Sequence, residues 1–98
     1  MSDYQGWANR ATWAVKLHWD NYPGDVVYYT EQAKEFKKAN KALWEFAEFL
    51  SDSYDEIFDS VIEGKATDEA KLMVRDVGNG DDVDWQEIAE AYFEGVNE

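Results

Sequence analysis

Glu45, Glu48, Asp52, Asp55, Glu56, Asp59 and Glu63 recur at helical spacing through LWEFAEFLSDSYDEIFDSVIE. On a helix turning about 100° per residue they fall within roughly 100° of one another, and the apolar residues of the stretch centre on the opposite side. Carboxylates so arranged need no pocket to act, because together they present a line of negative charge. From Glu45 to Glu63 the line runs about 27 Å, about one charge every 4 Å, against about 3.4 Å per phosphate along one DNA strand. A protein that grips nucleic acid through Lys and Arg can take such a line for a backbone. Glu45, Glu48, Asp52, Asp55, Asp59 and Glu63 are therefore the expected phosphate surrogates. Asp84, Glu87, Glu90 and Glu94 form a shorter, secondary acidic row on a last helix, and if the two rows lie side by side the surface offers two lines of negative charge. Like charges three or four residues apart destabilise a helix by a few tenths of a kcal/mol per pair, so the arrangement carries a cost. The competing reading is a plain solvated face, since many proteins are acidic for solubility alone.

Other chemistry has little to work with. The chain has no cysteine and one histidine, which excludes disulfides and thiolate metal sites. A transition-metal site would rest on carboxylates. His18, on a mostly apolar segment, reads as a satisfied, partly buried side chain. DVGNGDDVDWQE places Asp76, Asp84 and Glu87 at EF-hand positions one, nine and twelve. It has glycines at three and five, Gly78 and Gly80, and Asp81 where the sharp turn needs glycine. No phosphate-binding loop, dinucleotide fingerprint or nucleophile elbow is present. The expectation is a non-enzymatic protein without metal or cofactor.

The charge is uneven. Residues 1–44 carry six basic and five acidic side chains, a balance of +1, whereas residues 45–98 carry three and seventeen, a balance of -14; the sum is the net charge of -13. Aromatic and aliphatic residues continue through the acidic half, so its charges decorate a folded surface. That surface repels nucleic acid and anionic membranes and attracts basic proteins, which makes a basic or nucleic-acid-binding host protein the expected partner. Lys34, Lys37, Lys38 and Lys41 form the one basic cluster, and its meeting with the acidic stripe of another copy would give a homo-oligomer. The opening MSDYQ lacks a signal pattern, and the longest apolar run, Val26–Tyr29, is far short of the roughly 20 residues that span a bilayer. A cytoplasmic protein is expected, in the host cell cytoplasm if phage-encoded.

Ninety-eight residues make one domain with a single core. The periodicity predicts an all-α bundle of about five helices with a Trp-rich central first helix. That helix starts after Asn9 and runs to about Asp20. Asp25 caps a second helix carrying Val26, Tyr29, Ala33 and Phe36 on one side. A third, from near Asn40 to Glu63, risks a break at Ser51-Asp52-Ser53 and is ended by Gly64. Thr67 caps a fourth, with Leu72 and Met73, to about Asp76. Asp82 or Asp84 caps the last, with Trp85, Ile88, Ala89, Tyr92 and Phe93 inward.

GWANRATWAVKLHWDN is apolar nearly all round a helix, with Trp13 and Leu17 on one side and a polar sector near Lys16. Trp7, Trp13 and Trp19 read first as core and second as a ligand or oligomer contact. Asn9 and Thr12 read as capping residues. Gly6, Trp7, Asn9, Thr12, Trp13, Leu17, Asp20 and Asn21 resemble the G-W-x-N-x-x-T-W-x-x-x-L-x-x-D-N opening of a family of small phage and mobile-element proteins. Val83, Asp84, Trp85, Glu87, Ile88, Ala89 and Glu90 are similar to the V-[DN]-W-x-E-I-A-E close of the same family. The resemblance covers about thirty residues at the two ends and not the acidic middle. It implies a phage or mobile-element origin and a compact helical domain, and no reaction. Two functions follow as expectations. The first is a phage-type acidic inhibitor, a DNA mimic, on the nucleic-acid-binding surface of a host protein, in an anti-defence or host-takeover role. The second is a structural or adaptor module that associates through an aromatic face, marked by an exposed Trp13 or Trp19.

Overall fold

Capping side chains and positive-φ residues divide the chain into helices. The computed structural model describes residues 6–96; the stretch 1–5, where the absence of a signal pattern was read, lies outside them. The fold is an all-α bundle of five helices: α1 Arg10–Asp20, α2 Pro23–Lys38, α3 Leu43–Ile62, α4 Asp68–Val77 and α5 Trp85–Glu94. Asn9, Thr67 and Asp84 cap α1, α4 and α5 through their side-chain oxygens. Among the described residues no helix is long and apolar enough to cross a membrane.

Two helix starts differ from the sequence expectation. α2 begins at Pro23, with Tyr22 as its N-cap and Asp25 inside the first turn. Proline fits the first helical position because the N–H it lacks would have no partner there, and the Asp25 charge then favours the helix dipole. α3 begins at Leu43 instead of near Asn40, because Asn40 adopts φ 59° and terminates α2, with Lys41 N–H donating to Phe36 O at 2.9 Å. α3 runs through Ser51-Asp52-Ser53 unbroken. The Ser53 hydroxyl donates to Phe49 O at 3.0 Å, one turn back, instead of competing with the ladder. Gly64, at φ 76°, ends α3 as expected.

α3 and α5 face each other through Phe46, whose ring stacks on Phe93 at 5.2 Å and meets Tyr92 edge-on at 6.2 Å. α1 packs against α2, α4 and α5, and α5 against α1, α2 and α3, so α1 shares the central place with α5. Thr12, Ala14, Val15 and Trp19 are the fully buried residues of α1. Trp13 is half-buried against the core and Leu17 is 41% exposed, so the side they share is only partly covered, which departs from the reading of a helix covered all round. Among the described residues, Leu17 is the residue of that side left largely exposed.

The start of α1 and the approach to α5 meet in space. Thr12 Oγ1 donates to Asn9 Oδ1 at 2.8 Å and accepts from Asp84 N–H at 2.8 Å. Asn9 Nδ2 donates to Asp82 O at 2.8 Å, and Ala8 N–H donates to Glu87 Oε1 at 2.9 Å. Thr12 is 0% exposed, so Thr12→Val keeps the shape but leaves the Asp84 N–H without its acceptor. The expected loss is about 1–3 kcal/mol in urea unfolding, largely recovered by Thr12→Ser. A valine variant as stable as the parent would show that this tie adds nothing.

Candidate functional site

The acidic face of α3 points away from the core. Glu48, Asp52, Asp55, Glu56, Asp59 and Glu63 are exposed, opposite buried Phe46, Ala47, Leu50 and Tyr54. Among the described residues, none of Glu48, Asp52, Asp55, Glu56 and Asp59 forms an ion pair with a basic side chain. Glu63 lies 3.8 Å from Lys65. Glu45 is different. It is half-buried, its Oε2 accepts from Ala42 N–H at 2.8 Å, and its Oε1 lies 3.9 Å from Lys41 Nζ. Ala42, the N-cap, has no side-chain acceptor, so Glu45 closes the start of α3 from within and is held there instead of standing free as a surrogate.

The second row does not lie beside the first. α3 and α5 pack through their apolar faces, which turns their acidic faces away from each other. Half of that row is also engaged in the fold. Asp84 Oδ1 caps α5 by accepting from Glu87 N–H at 3.1 Å, and Glu87 holds Ala8. Glu90 and Glu94 remain exposed along a shallow groove shared with Gly6 and Trp7.

The lysine cluster is dispersed in the same way. Lys37 Nζ donates to Phe93 O at 3.0 Å and Val96 O at 3.1 Å, where a cation satisfies carbonyls left open at the end of α5. Lys34 pairs with Glu31 at 3.6 Å and Lys41 with Glu45. Of the four, Lys38 alone makes no ion pair or hydrogen bond with the described residues.

His18 is a satisfied residue, as its position on α1 suggested: its Nε2 lies 2.9 Å from Asp76 Oδ2, tying α1 to α4. That hydrogen bond holds the Asp76 carboxyl below its usual range. A group whose pKa is depressed on folding stabilises the fold above its unfolded pKa, about 3.9 for aspartate, and the contribution is lost as pH falls through the folded value. The stability gap between the parent and Asp76→Asn is therefore expected to shrink as pH drops from about 6 to about 3; an unchanged gap would rule out the linkage. His18 also stands at the wall of a cavity of about 320 Å³, mostly apolar, lined further by Trp19, Asp25, Thr67, Glu69 and Met73. Burial pushes the Asp25 carboxyl up. The Thr67 hydroxyl there accepts from Ala70 N–H at 3.2 Å as the cap of α4. Among the described residues no three His, Asp or Glu side chains converge as metal ligands.

Trp44 was missed by reading the chain for apolar stripes. It is 60% exposed, whereas Trp19 is 1% exposed and Trp7, Trp13 and Trp85 are half-buried. The same helical wheel that collects the carboxylates would have found it, since Trp44 falls on the edge of the stripe beside Glu48 and Asp55.

No family model, no curated protein and no solved structure matches the chain.

Proposed function

We propose that the protein is an acidic inhibitor of phage or mobile-element type that occupies the nucleic-acid-binding surface of a host protein. Candidate targets are a restriction, CRISPR-type or other defence nuclease, or a transcription or nucleoid protein. The observation that carries this reading is the outward face of α3, where Glu48, Asp52, Asp55, Glu56 and Asp59 stand exposed with no ion-pair partner among the described residues. A merely solvated helix mixes signs to relieve such repulsion. Lys and Arg that line a groove for phosphates would supply the missing partners, and the field of the acidic half would speed the encounter. Trp44, beside the stripe, adds an aromatic anchor of the kind that dominates binding energy in protein interfaces. The resemblance at the two ends points to the same origin. Against the adaptor alternative stand Trp19, which is buried, and Trp13, which is half-buried against the core.

The test is capture from a bacterial lysate followed by mass spectrometry. The parent chain is compared with a variant carrying Glu48→Gln, Asp52→Asn, Asp55→Asn, Asp59→Asn and Glu63→Gln, with Glu45 left in place because it closes α3. A DNA- or RNA-binding protein held by the parent alone, and released by added DNA, is the expected result. The same proteins on both baits would reduce the stripe to a solvated face.

A further inference from the structure

α2 and α3 leave between them a notch of about 300 Å³, lined by Tyr28, Tyr29, Ser53, Glu56, Ile57 and Ser60. Apart from the two tyrosine hydroxyls, its polar atoms are acceptors. Ser53 Oγ donates to Phe49 O at 3.0 Å and Ser60 Oγ to Glu56 O at 3.0 Å. A hydroxyl has a single proton, so both serines keep only lone pairs, and of these the Ser53 oxygen already meets the Tyr29 phenol. Glu56 adds an exposed carboxylate without an ion pair among the described residues. Tyr28, 48% exposed and edge-on to Tyr29 at 5.0 Å, supplies an aromatic wall. No Lys or Arg lines the space. The Tyr29 phenol is pushed up, first by burial and then by Asp25, against the lowering effect of a Ser53 hydrogen bond, with a smaller upward effect of Glu56.

We propose that this notch receives the guanidinium group of an arginine. A guanidinium is planar, carries five donors and no acceptor, and stacks on aromatic rings. It therefore matches a carboxylate, two hydroxyl oxygens and a tyrosine ring arranged around one space. An ammonium is a compact point charge with three donors and uses fewer of these groups, and an anion finds repulsion. Glu56 belongs both to the notch and to the acidic face of α3. An arginine on a partner that follows the carboxylate line would thus enter the notch at the edge of that line; that the arginine comes from such a partner rests on the function proposed above.

The experiment is a titration of the full chain, ¹⁵N-labelled, with N-acetyl-arginine amide, followed by amide chemical shifts, and with N-acetyl-lysine amide as the control of equal charge. Saturable shifts centred on Tyr28, Ser53, Glu56 and Ser60 are expected with arginine. The lysine probe is expected to bind about tenfold more weakly, and arginine about tenfold more weakly to Glu56→Gln or to Ser53→Ala/Ser60→Ala, as befits lost charge-assisted hydrogen bonds. Shifts spread along α3 and equal for both probes would overturn the proposal, as would an unchanged affinity in Glu56→Gln. The two readings fail separately. Arginine binding in the chain neutralised at residues 48, 52, 55 and 59, with no partner captured by the parent, keeps the notch and removes the inhibitor reading. Capture of a partner by a chain that shows no arginine preference does the reverse.

Discussion

Replacing Trp19 with alanine is expected to lower stability by about 3–5 kcal/mol, the usual cost of emptying a large buried site. A domain of this kind has about 5–15 kcal/mol in total, so the loss is a large share of the whole. The size of the loss follows from position. Trp19 is 1% exposed, its ring stacks on Tyr29 at 4.1 Å, and Trp85 lies 6.1 Å away. It is the place where α1, α2 and α5 share one contact, so a hole there cannot be filled by the movement of a single helix. Trp13→Ala removes the same atoms from a half-buried site on the same helix and is expected to cost distinctly less. Urea unfolding followed by circular dichroism reads both. Equal losses would mean that α1 is centred on Trp13 after all, and a Trp19→Ala loss under about 1 kcal/mol would mean that the cavity beside it absorbs the change.

That contrast also marks how far the sequence could be read. The inner faces of α3 and α5 were legible because each helix is divided cleanly into an apolar and a charged side, and Phe46, Leu50, Tyr54, Ile88 and Tyr92 are buried as their phase required. α1 offered no such division. With apolar residues on nearly every side, its outward sector depended on which neighbours arrived, and periodicity within one helix carries no information about that. The caps were legible where a side chain makes them, at Asn9, Thr67 and Asp84, and not where backbone geometry does, at Tyr22-Pro23 and Asn40. The stripe of α3 was visible on a wheel, but the roles of Glu45, Glu87 and Lys37 were not. Each of these charges answers a backbone group outside its own helix, and Glu87 and Lys37 reach groups more than fifty positions away in sequence. The notch between Tyr28 and Glu56 is built by two helices and has no signature in either.

Neutralising the stripe is expected to move stability and binding in opposite directions. Glu48–Asp52, Asp52–Asp55, Asp52–Glu56, Asp55–Asp59 and Glu56–Asp59 are like-charged pairs one turn apart, with no basic side chain paired to them among the described residues. Each such pair costs an exposed helix a few tenths of a kcal/mol, so Glu48→Gln, Asp52→Asn, Asp55→Asn and Asp59→Asn together should raise stability by about 1–2 kcal/mol at low salt, and by less as salt screens the repulsion. The same variant should lose the partner. For the parent, affinity should fall between about 50 and 200 mM salt by up to about 100-fold, the fall expected when about four phosphate-like contacts are screened, and the variant should show a flatter dependence. A surface kept for solubility alone predicts the gain in stability and no change in binding. A stripe that only supports the fold predicts a loss of stability. Only a face held at a cost to the helix because another molecule uses it predicts a more stable protein that no longer binds, and paired measurements of unfolding and salt-dependent affinity on the two chains distinguish the three.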